Sequence, residues 1–357
     1  MHKRVHIYLI ILLIFCVTIS FAEPAKVYFT SEISADAVIK VFDQIKNNVE
    51  GEVAIKVHFG EKGNKYFLKP SLVKKLTNKL DATLVETNVL YVSPRRYTKS
   101  HIELAEEHGF DFAPIDILNS EASKTIECET KHYNKVQVGK NLDNYDSIII
   151  FSHFKGHGMA GFGGAIKNVS MGLASIPGKM ALHASAVPNY DPDKCIKCGR
   201  CVPECPGGAI TLDPLTIDPE KCIGCGSCIG ICPTNSFQVP WRSTERSVFL
   251  ERLADYAGVI DSTYNLVYIN VLANISKSCD CSPYAPEPFL QDIGILASTD
   301  IVAIEKASHD LCDKACDCDD AFLQVNRVSG KHQIDYAYET GLGQIEYELI
   351  NLDEEKK

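Results

Sequence analysis

Residues 195–206 read CIKCGRCVPECP and residues 222–233 read CIGCGSCIGICP, so one pattern, CxxCxxCxxxCP, occurs twice. The residues before each copy are also alike, DPDK at 191–194 and DPEK at 218–221, and the offset of 27 residues holds throughout. One tight loop can carry three cysteines at this spacing, and the glycines between them suit a backbone that bends sharply. The duplication predicts two equivalent sites, each built around such a loop.

The spacing favours iron over zinc and over disulfides. Thiolate is a soft ligand that suits iron in a sulfide environment. Zinc sites prefer paired CxxC knuckles with a longer spacer, and a disulfide framework has no reason to repeat this pattern. We therefore predict two 4Fe–4S clusters, with the fourth cysteine of each copy bound to the other cluster. The predicted ligand sets are Cys195, Cys198, Cys201 and Cys232 for one cluster and Cys222, Cys225, Cys228 and Cys205 for the other.

The rest of the chain alternates strand and helix patterns on both sides of the cysteine repeats. Short apolar runs indicate buried strands, and apolar residues at helical spacing lie between them. This alternation is typical of a largely parallel sheet covered by helices. The predicted strands are residues 26–29, 52–58, 83–86, 146–152, 266–272 and 294–297.

These patterns predict one α/β domain with an insertion. The α/β domain comprises residues 23–188 and 241–350, and residues 189–240 interrupt it as a small α+β domain. Residues 189–240 resemble the bacterial dicluster ferredoxins, and the resemblance implies electron transfer. A string of three separate domains is the alternative arrangement.

Composition and the amino terminus limit the partners and the location. The chain of 357 residues has 36 Lys and Arg against 46 Asp and Glu, so no cationic excess favours nucleic acid, and none is expected as a partner. Residues 1–22 have the pattern of a secretory signal peptide, in which basic residues precede an uncharged stretch at 7–22. We predict export to the periplasm or another extracytoplasmic space. An uncleaved segment 7–22 that anchors the protein in a membrane is the alternative.

Candidate site residues follow predicted strands, where open α/β sheets bind ligands. His58, His153 and Cys279 have such positions. Residues 153–168 are rich in glycine and formally match GxGxxG. A dinucleotide site would also need an acidic residue about 20 positions further on, and residues 180–190 contain none. The segment is therefore either a loop that lets a ligand approach backbone amides or a plain glycine-rich turn.

The residue types at these positions suggest roles. We expect Lys155 and Lys167 to bind an anionic group, and the histidines to ligate a metal or transfer protons. The histidines are His58, His153 and His157. Cys279 and Cys281 flank Asp280, and together with these three histidines they form a possible second metal site. Disulfides are the alternative for the six mature cysteines outside the repeats, which are Cys128, Cys279, Cys281, Cys312, Cys316 and Cys318.

Several stretches together resemble the DUF362 family of iron–sulfur centre proteins. The stretches are VHFGEKGN at 57–64, HFKGH at 153–157, GFGGAIKN at 161–168, CDC at 279–281 and DIGILAS at 292–298. The resemblance covers nearly the whole mature chain. It implies an α/β domain paired with a dicluster ferredoxin, without naming a substrate.

The leading functional hypothesis is a redox protein, a possible oxidoreductase. Its two clusters would exchange single electrons with a second site in the α/β domain and with a redox partner protein. The alternative is a non-catalytic carrier or redox sensor that docks to a partner. A third hypothesis treats the clusters as structural supports of the fold.

Overall fold

The computed structural model describes residues 23–183, 187–241 and 243–353. The predicted signal segment, residues 1–22, lies outside these ranges, so export and the alternative membrane anchor at 7–22 stay predictions. Among the described residues, none of the helices combines the length and the hydropathy that a bilayer crossing requires.

Within the described residues the chain forms sixteen strands and ten α-helices. The strands are β1 Ala25–Thr30, β2 Val53–Lys56, β3 Thr83–Glu86, β4 Ile115–Ile117, β5 Ser123–Glu127, β6 Lys135–Gly139, β7 Ser147–His153, β8 Lys155–His157, β9 Gly161–Gly163, β10 Asn189–Tyr190, β11 Ile210–Leu212, β12 Leu215–Ile217, β13 Phe237–Gln238, β14 Leu266–Leu272, β15 Gly294–Ser298 and β16 Tyr347–Asn351. The helices are α1 Ala35–Ile45, α2 Pro70–Leu80, α3 Thr98–Glu107, α4 Ala165–Leu173, α5 Ile176–His183, α6 Ser227–Ile231, α7 Arg246–Asp261, α8 Ile301–Cys316, α9 Ala321–Asn326 and α10 Lys331–Glu339.

Eight strands form one sheet in the order β16-β1-β15-β14-β7-β2-β3-β4. Neighbouring strands are parallel except at β15, which is antiparallel to both β1 and β14. The predicted strands are present as β1, β2, β3, β7, β14 and β15. The predicted α/β fold with a largely parallel sheet and flanking helices is therefore confirmed.

Helices cover both faces of the sheet, which explains why its strands are apolar without alternation. In β7, Ile149 and Phe151 belong to the core that packs against α1, α2 and α3. Ile148 and Ile150 of the same strand belong to the opposite core, beneath α4, α7 and α8. Because helices cover both faces of such a sheet, a ligand must approach it where the strands end.

Residues 187–241, the cysteine segment, lie between α5 and α7. Strand β7 precedes this segment in the chain and β14 follows it, and the two strands are neighbours in the sheet. The segment has a small core of its own, to which Leu90 and Met180 of the α/β part contribute. The domain boundaries at 189 and 240 stay predictions.

The duplication is also present in the backbone of the cysteine segment. Left-handed residues recur at the offset of 27, in the pairs Lys197 and Gly224, Gly199 and Gly226, and Gly208 and Asn235. In equivalent positions, the amide of Ala209 donates to Cys205 Sγ and the amide of Ser236 donates to Cys232 Sγ, each at 3.3 Å. The two copies therefore share a conformation as well as a sequence.

Candidate functional site

A cavity of about 350 Å³ lies at the carboxyl ends of the parallel strands. Lys56, Glu86 and His153, the last residues of β2, β3 and β7, all line it. In open α/β sheets this edge is where ligands bind, and the volume lies in the range of small-molecule sites. The predicted site residues His58, His153, Lys155, His157, Lys167, Cys279 and Cys281 also line this cavity.

A buried group of charges forms one wall of the cavity. Arg95 Nη2 lies 3.2 Å and Lys56 Nζ 3.6 Å from Glu86 Oε1. Burial alone would raise the pKa of Glu86, but Lys56 and Arg95 lower it to about 2. Burial lowers the pKa of Lys56 to about 8, against the opposing effect of Glu86. The carboxylate is thus held ionised between two cations.

His58 lies beside this group and is held neutral. Both ring nitrogens face N–H donors at 3.0 Å, Nδ1 the amide of Gly60 and Nε2 the Nη1 of Arg95. Burial and the charge of Arg95 keep the pKa of His58 well below its ordinary value. Its surroundings therefore oppose a positive charge on the ring.

His153 is anchored between two oxygen acceptors. Its Nδ1 lies 2.9 Å from Asp280 Oδ1 and its Nε2 lies 2.7 Å from the carbonyl oxygen of Ala273. These two contacts fix the orientation of the ring at the end of β7. Lys155 Nζ lies 3.4 Å from Asp280 Oδ2. Burial would raise the pKa of Asp280, but His153 and Lys155 lower it to about 2.

Two further lysines line the cavity and differ in their partners. Lys179 donates to Thr87 Oγ1 and to the carbonyl oxygen of Ala174. Lys167 Nζ has no hydrogen-bond or ion-pair partner among the residues that the structure describes. Burial and the nearby charge of Lys155 lower the pKa of Lys167 to about 7. The protonated form of Lys167 thus has no ion-pair partner within the part of the chain that the structure describes.

Helix α4, which carries Lys167, begins at a glycine that offers no side-chain cap. Glu305 of α8 supplies the missing acceptor, because the amide of Ala165 donates to its Oε2 at 2.8 Å and the amide of Ile166 to its Oε1 at 3.2 Å. A Cβ at Gly164 would collide with this carboxylate. The glycine-rich sequence therefore lets a buried acid fix the helix that carries Lys167.

The GxGxxG residues form a hairpin and not a phosphate-binding turn. Gly156 lies in β8 and Gly161 in β9, and the two strands pair in antiparallel fashion. The dinucleotide fingerprint instead requires a turn from a strand directly into a helix. The hairpin supplies Lys155 and His157 to the cavity. His157 Nδ1 accepts from the amides of Ala160 at 3.0 Å and Met159 at 3.3 Å.

Cys279 and Cys281 lie at the cavity and are joined in a disulfide. Their sulfurs and a ring nitrogen of His157 lie within 4.8 Å of one another, so the group could hold a metal ion once the disulfide is reduced. His58 and His153, which we also expected near a metal, are not part of this group. His309, Asp310 and Asp313 form another such group.

The eight cysteines of the repeats form two groups of four. Cys195, Cys198, Cys201 and Cys232 line one small pocket of about 20 Å³. Cys205, Cys222, Cys225 and Cys228 line a second pocket of the same volume. None of the eight is in a disulfide. The fourth cysteine of each copy thus lies with the first three of the other.

The four other mature cysteines differ in whether they form a disulfide. Cys316 and Cys318 form a second disulfide at the end of α8. Cys128 and Cys312 are free thiols, and burial raises the pKa of both.

Several cavity residues were not predicted from the sequence. Lys56 and Glu86 carry a signal that could have revealed them, because each is a charged residue in an otherwise apolar, fully buried strand end. Arg95 and Lys179 lie outside the strands, and nothing in their local sequence indicates that they reach the cavity.

These features define an α/β protein with a basic cavity at the carboxyl edge of its sheet and a duplicated cysteine segment beside it. The model of the family described as Domain of unknown function (DUF362) matches residues 53–310. The match covers more than half of the chain, so the protein belongs to the DUF362 family, as predicted. The iron–sulfur prediction depends on the cysteines and not on this match.

Two solved structures match parts of the chain at low similarity. The lactate racemase apoprotein from Thermoanaerobacterium thermosaccharolyticum is 13% identical with a TM-score of 0.35, and the match covers 69% of this chain and 50% of that one. A Thermotoga maritima protein is 8% identical with a TM-score of 0.41, at 80% and 59% coverage. The chain thus spans between half and three-fifths of these structures. No functionally curated protein matches the chain.

Proposed function

We propose that the protein binds two 4Fe–4S clusters and couples single-electron transfer to a redox reaction in the α/β cavity. The observation that carries the proposal is the crosswise grouping of eight unpaired cysteines around two pockets. This is the arrangement expected of a dicluster ferredoxin segment, in which the fourth cysteine of each copy serves the other cluster.

The cysteine loops fit such clusters for two further reasons. Backbone amides donate to cysteine sulfurs, as at Cys205 and Cys232, and such hydrogen bonds are one means by which proteins set cluster potentials. Left-handed glycines and Lys197 bend the loops between the sulfurs. When bound, the clusters would supply one-electron transfer.

The cavity is close enough to the cysteine segment for the two to act together. Leu90 lines the cavity and also belongs to the core of the cysteine segment. A Cβ at Gly226, between Cys225 and Cys228, would lie 3.3 Å from Leu90 Cδ2. One side chain therefore contacts both the cavity and a cysteine loop.

The substrate that the cavity favours is a small anion. Glu86 is paired with Lys56 and Arg95, and Asp280 with His153 and Lys155. Lys167 has no such partner among the described residues, so its protonated form gives the lining a positive excess that an anionic group would neutralise.

Iron and sulfide quantification on anaerobically purified protein, with electron paramagnetic resonance after reduction, tests the proposal. We expect about eight iron and eight sulfide per chain and a signal from reduced cubane clusters. Stoichiometric zinc, or disulfides among these eight cysteines, would refute it.

One observation favours the second candidate, a non-catalytic carrier that docks to a redox partner protein. Ile196 and Ile223 follow the first cysteine of each copy, and 64% and 68% of their surfaces are exposed. Exposed apolar residues beside a redox centre suit a protein interface. This candidate predicts reversible reduction without turnover of any small anion.

A further inference from the structure

Two Cys-x-Cys disulfides with the same spacing have different surroundings. Cys279 and Cys281 line the cavity. Cys316 and Cys318 lie where α8 ends, and neither lines the cavity. The second pair is therefore a matched control for the first within one chain.

The turn that carries Cys279 and Cys281 is fixed by the residue between them. The carboxylate of Asp280 accepts from His153 and lies 3.4 Å from Lys155 Nζ, while its carbonyl oxygen accepts from the amide of Glu61 at 2.9 Å. Asp280 is only 2% exposed. The side chain of Asp280 is thus held inside the protein while the flanking sulfurs border the cavity.

A histidine ring lies near the two sulfurs. A ring nitrogen of His157 is within 4.8 Å of both. His157 Nδ1 already accepts from two backbone amides, so the proton of the neutral ring is on Nε2. A hydrogen bond from this N–H to a sulfur would favour the anionic form of that sulfur, which is the form released when a disulfide is cleaved.

We propose that Cys279 and Cys281 form a redox-active disulfide, which is the group in the cavity that accepts electrons. In the reductive step the S–S bond takes up two electrons and two protons from solvent and becomes two thiols. The electrons come from a low-potential one-electron donor, the role that the proposed function gives to the iron–sulfur clusters. The inference rests on that function and identifies the redox group of its cavity.

Alkylation of the full-length protein followed by peptide mass mapping tests the inference. Anaerobic protein is reduced with dithionite-reduced methyl viologen, alkylated, and compared with a sample reoxidised by ferricyanide. We expect both Cys279 and Cys281 to be alkylated after reduction and protected after reoxidation. Cys316 and Cys318 should remain protected in both samples. Equal labelling of the two pairs would overturn the inference, as would a stoichiometric metal ion retained at Cys279 and Cys281.

A second arm separates this inference from the iron–sulfur proposal. Equilibration with oxidised and reduced dithiothreitol needs no iron. If the cavity pair cycles in this buffer but not with viologen, the disulfide is redox-active and the proposed electron source is wrong. If neither treatment converts the pair, the inference itself is wrong.

Two matched variants provide an independent readout. Reductive dye titration counts the electrons that the protein takes up. Cys279→Ser should remove two electrons from the total, whereas Cys316→Ser should leave the viologen-reducible total unchanged. The same loss in both variants would contradict the inference, and the alkylation of the natural protein still decides if Cys279→Ser does not fold.

Discussion

The cysteine segment and the cavity are built from the chain in opposite ways. All eight cysteines of the segment lie between Cys195 and Cys232, and their spacing alone predicted two groups of four. The cavity takes residues from Lys56 to Ser282, which meet only because β2, β3 and β7 end at one edge of the sheet. The comparison shows that a group of residues close together in the chain is encoded by spacing, whereas a group made from remote residues is encoded by topology.

The two regions also differ in what holds them together. The cysteine segment has a small apolar core, and the proposed clusters would supply much of its stability, as metals do in small domains. The cavity lies between two large cores and contains buried ion pairs. Loss of a ligand should therefore damage the segment, and loss of a charge should damage the cavity.

The largest expected effect is the loss of iron from variants that test the crosswise ligand sets. Cys205→Ser and Cys222→Ser should each remove about four of the eight iron atoms, because both lie in one predicted ligand set. The double variant should lose no more than either single variant. Cys205→Ser combined with Cys201→Ser should lose nearly all the iron, as measured by iron and sulfide quantification. Each copy binds its own cluster if instead the Cys205 and Cys222 double variant loses nearly all the iron and the Cys205 and Cys201 double variant loses about half.

The next largest effect is expected from Glu86→Gln in the cavity. The substitution removes the buried carboxylate that pairs with Lys56 and leaves Arg95 with Glu61 alone, which should cost about 3–5 kcal/mol in the free energy of unfolding. Urea denaturation measures the change. Asp36→Asn, which breaks an exposed ion pair with Lys75, is the control and should cost about 0–1 kcal/mol. Equal effects would mean that Glu86 is not the stabilising partner.

Glu86 should also make the free energy of unfolding depend on pH. The pKa of Glu86 is lowered from 4.5 to about 2, so its stabilising effect is complete above about pH 4.5 and is lost as the pH falls toward 2. Glu86→Gln should reduce the slope of unfolding free energy against pH in this window. An unchanged slope would assign the acid sensitivity to other carboxylates.

A smaller effect is expected at Arg96, which joins the two regions. It donates to the carbonyl oxygens of Gly230 and Cys232 and to Asn235 Oδ1, at 2.9, 3.3 and 2.7 Å. Arg96→Ala should lower the local opening free energy of residues 227–236 by about 2–3 kcal/mol, as measured by amide hydrogen exchange. The exposed Arg200→Ala should leave it unchanged. Equal exchange in both variants would show that Arg96 does not secure the segment.

The smallest effect concerns anion binding at Lys167. Lys167→Ala should weaken the binding of inorganic phosphate roughly tenfold, because one charged hydrogen-bond donor is lost. Burial and Lys155 lower the pKa of Lys167 to about 7, so its ammonium form decreases above that pH, and the difference in affinity between the natural protein and Lys167→Ala should shrink as the pH rises. Calorimetry measures both effects, with the exposed Lys99→Ala as control. Phosphate affinity that is independent of Lys167 would remove it from the site.

Sequence patterns predicted the elements more completely than the cavity. The apolar runs located β3 at 83–86 and β14 at 266–272 with the bounds that the structure has. Asp300, a residue type that favours the helix N-cap, accepts from the amides of Val302 and Ala303 at the start of α8. These features succeed because periodicity and capping depend on neighbours in the chain.

The cavity could be predicted only in part. Histidines and cysteines after strands indicated its edge, but the ion pairing of His153 with Asp280 and of Arg95 with Glu86 joins residues far apart in the chain. The GxGxxG match does not mark a strand-to-helix turn here, because β8 and β9 within the segment pair as a hairpin. Spacing alone did not distinguish a turn into a helix from a hairpin.

By itself the sequence determined the alternation of strands and helices, the duplicated cysteine loops and the resemblance to DUF362. Each of these is recognised from short stretches of residues that are close together in the chain. Only the tertiary structure decided which charges are paired, that Lys167 has no ion-pair partner among the residues described, and that one of two Cys-x-Cys disulfides of equal spacing lines the cavity. Pairing and burial are properties of distant segments brought together by the sheet, and no local pattern records them.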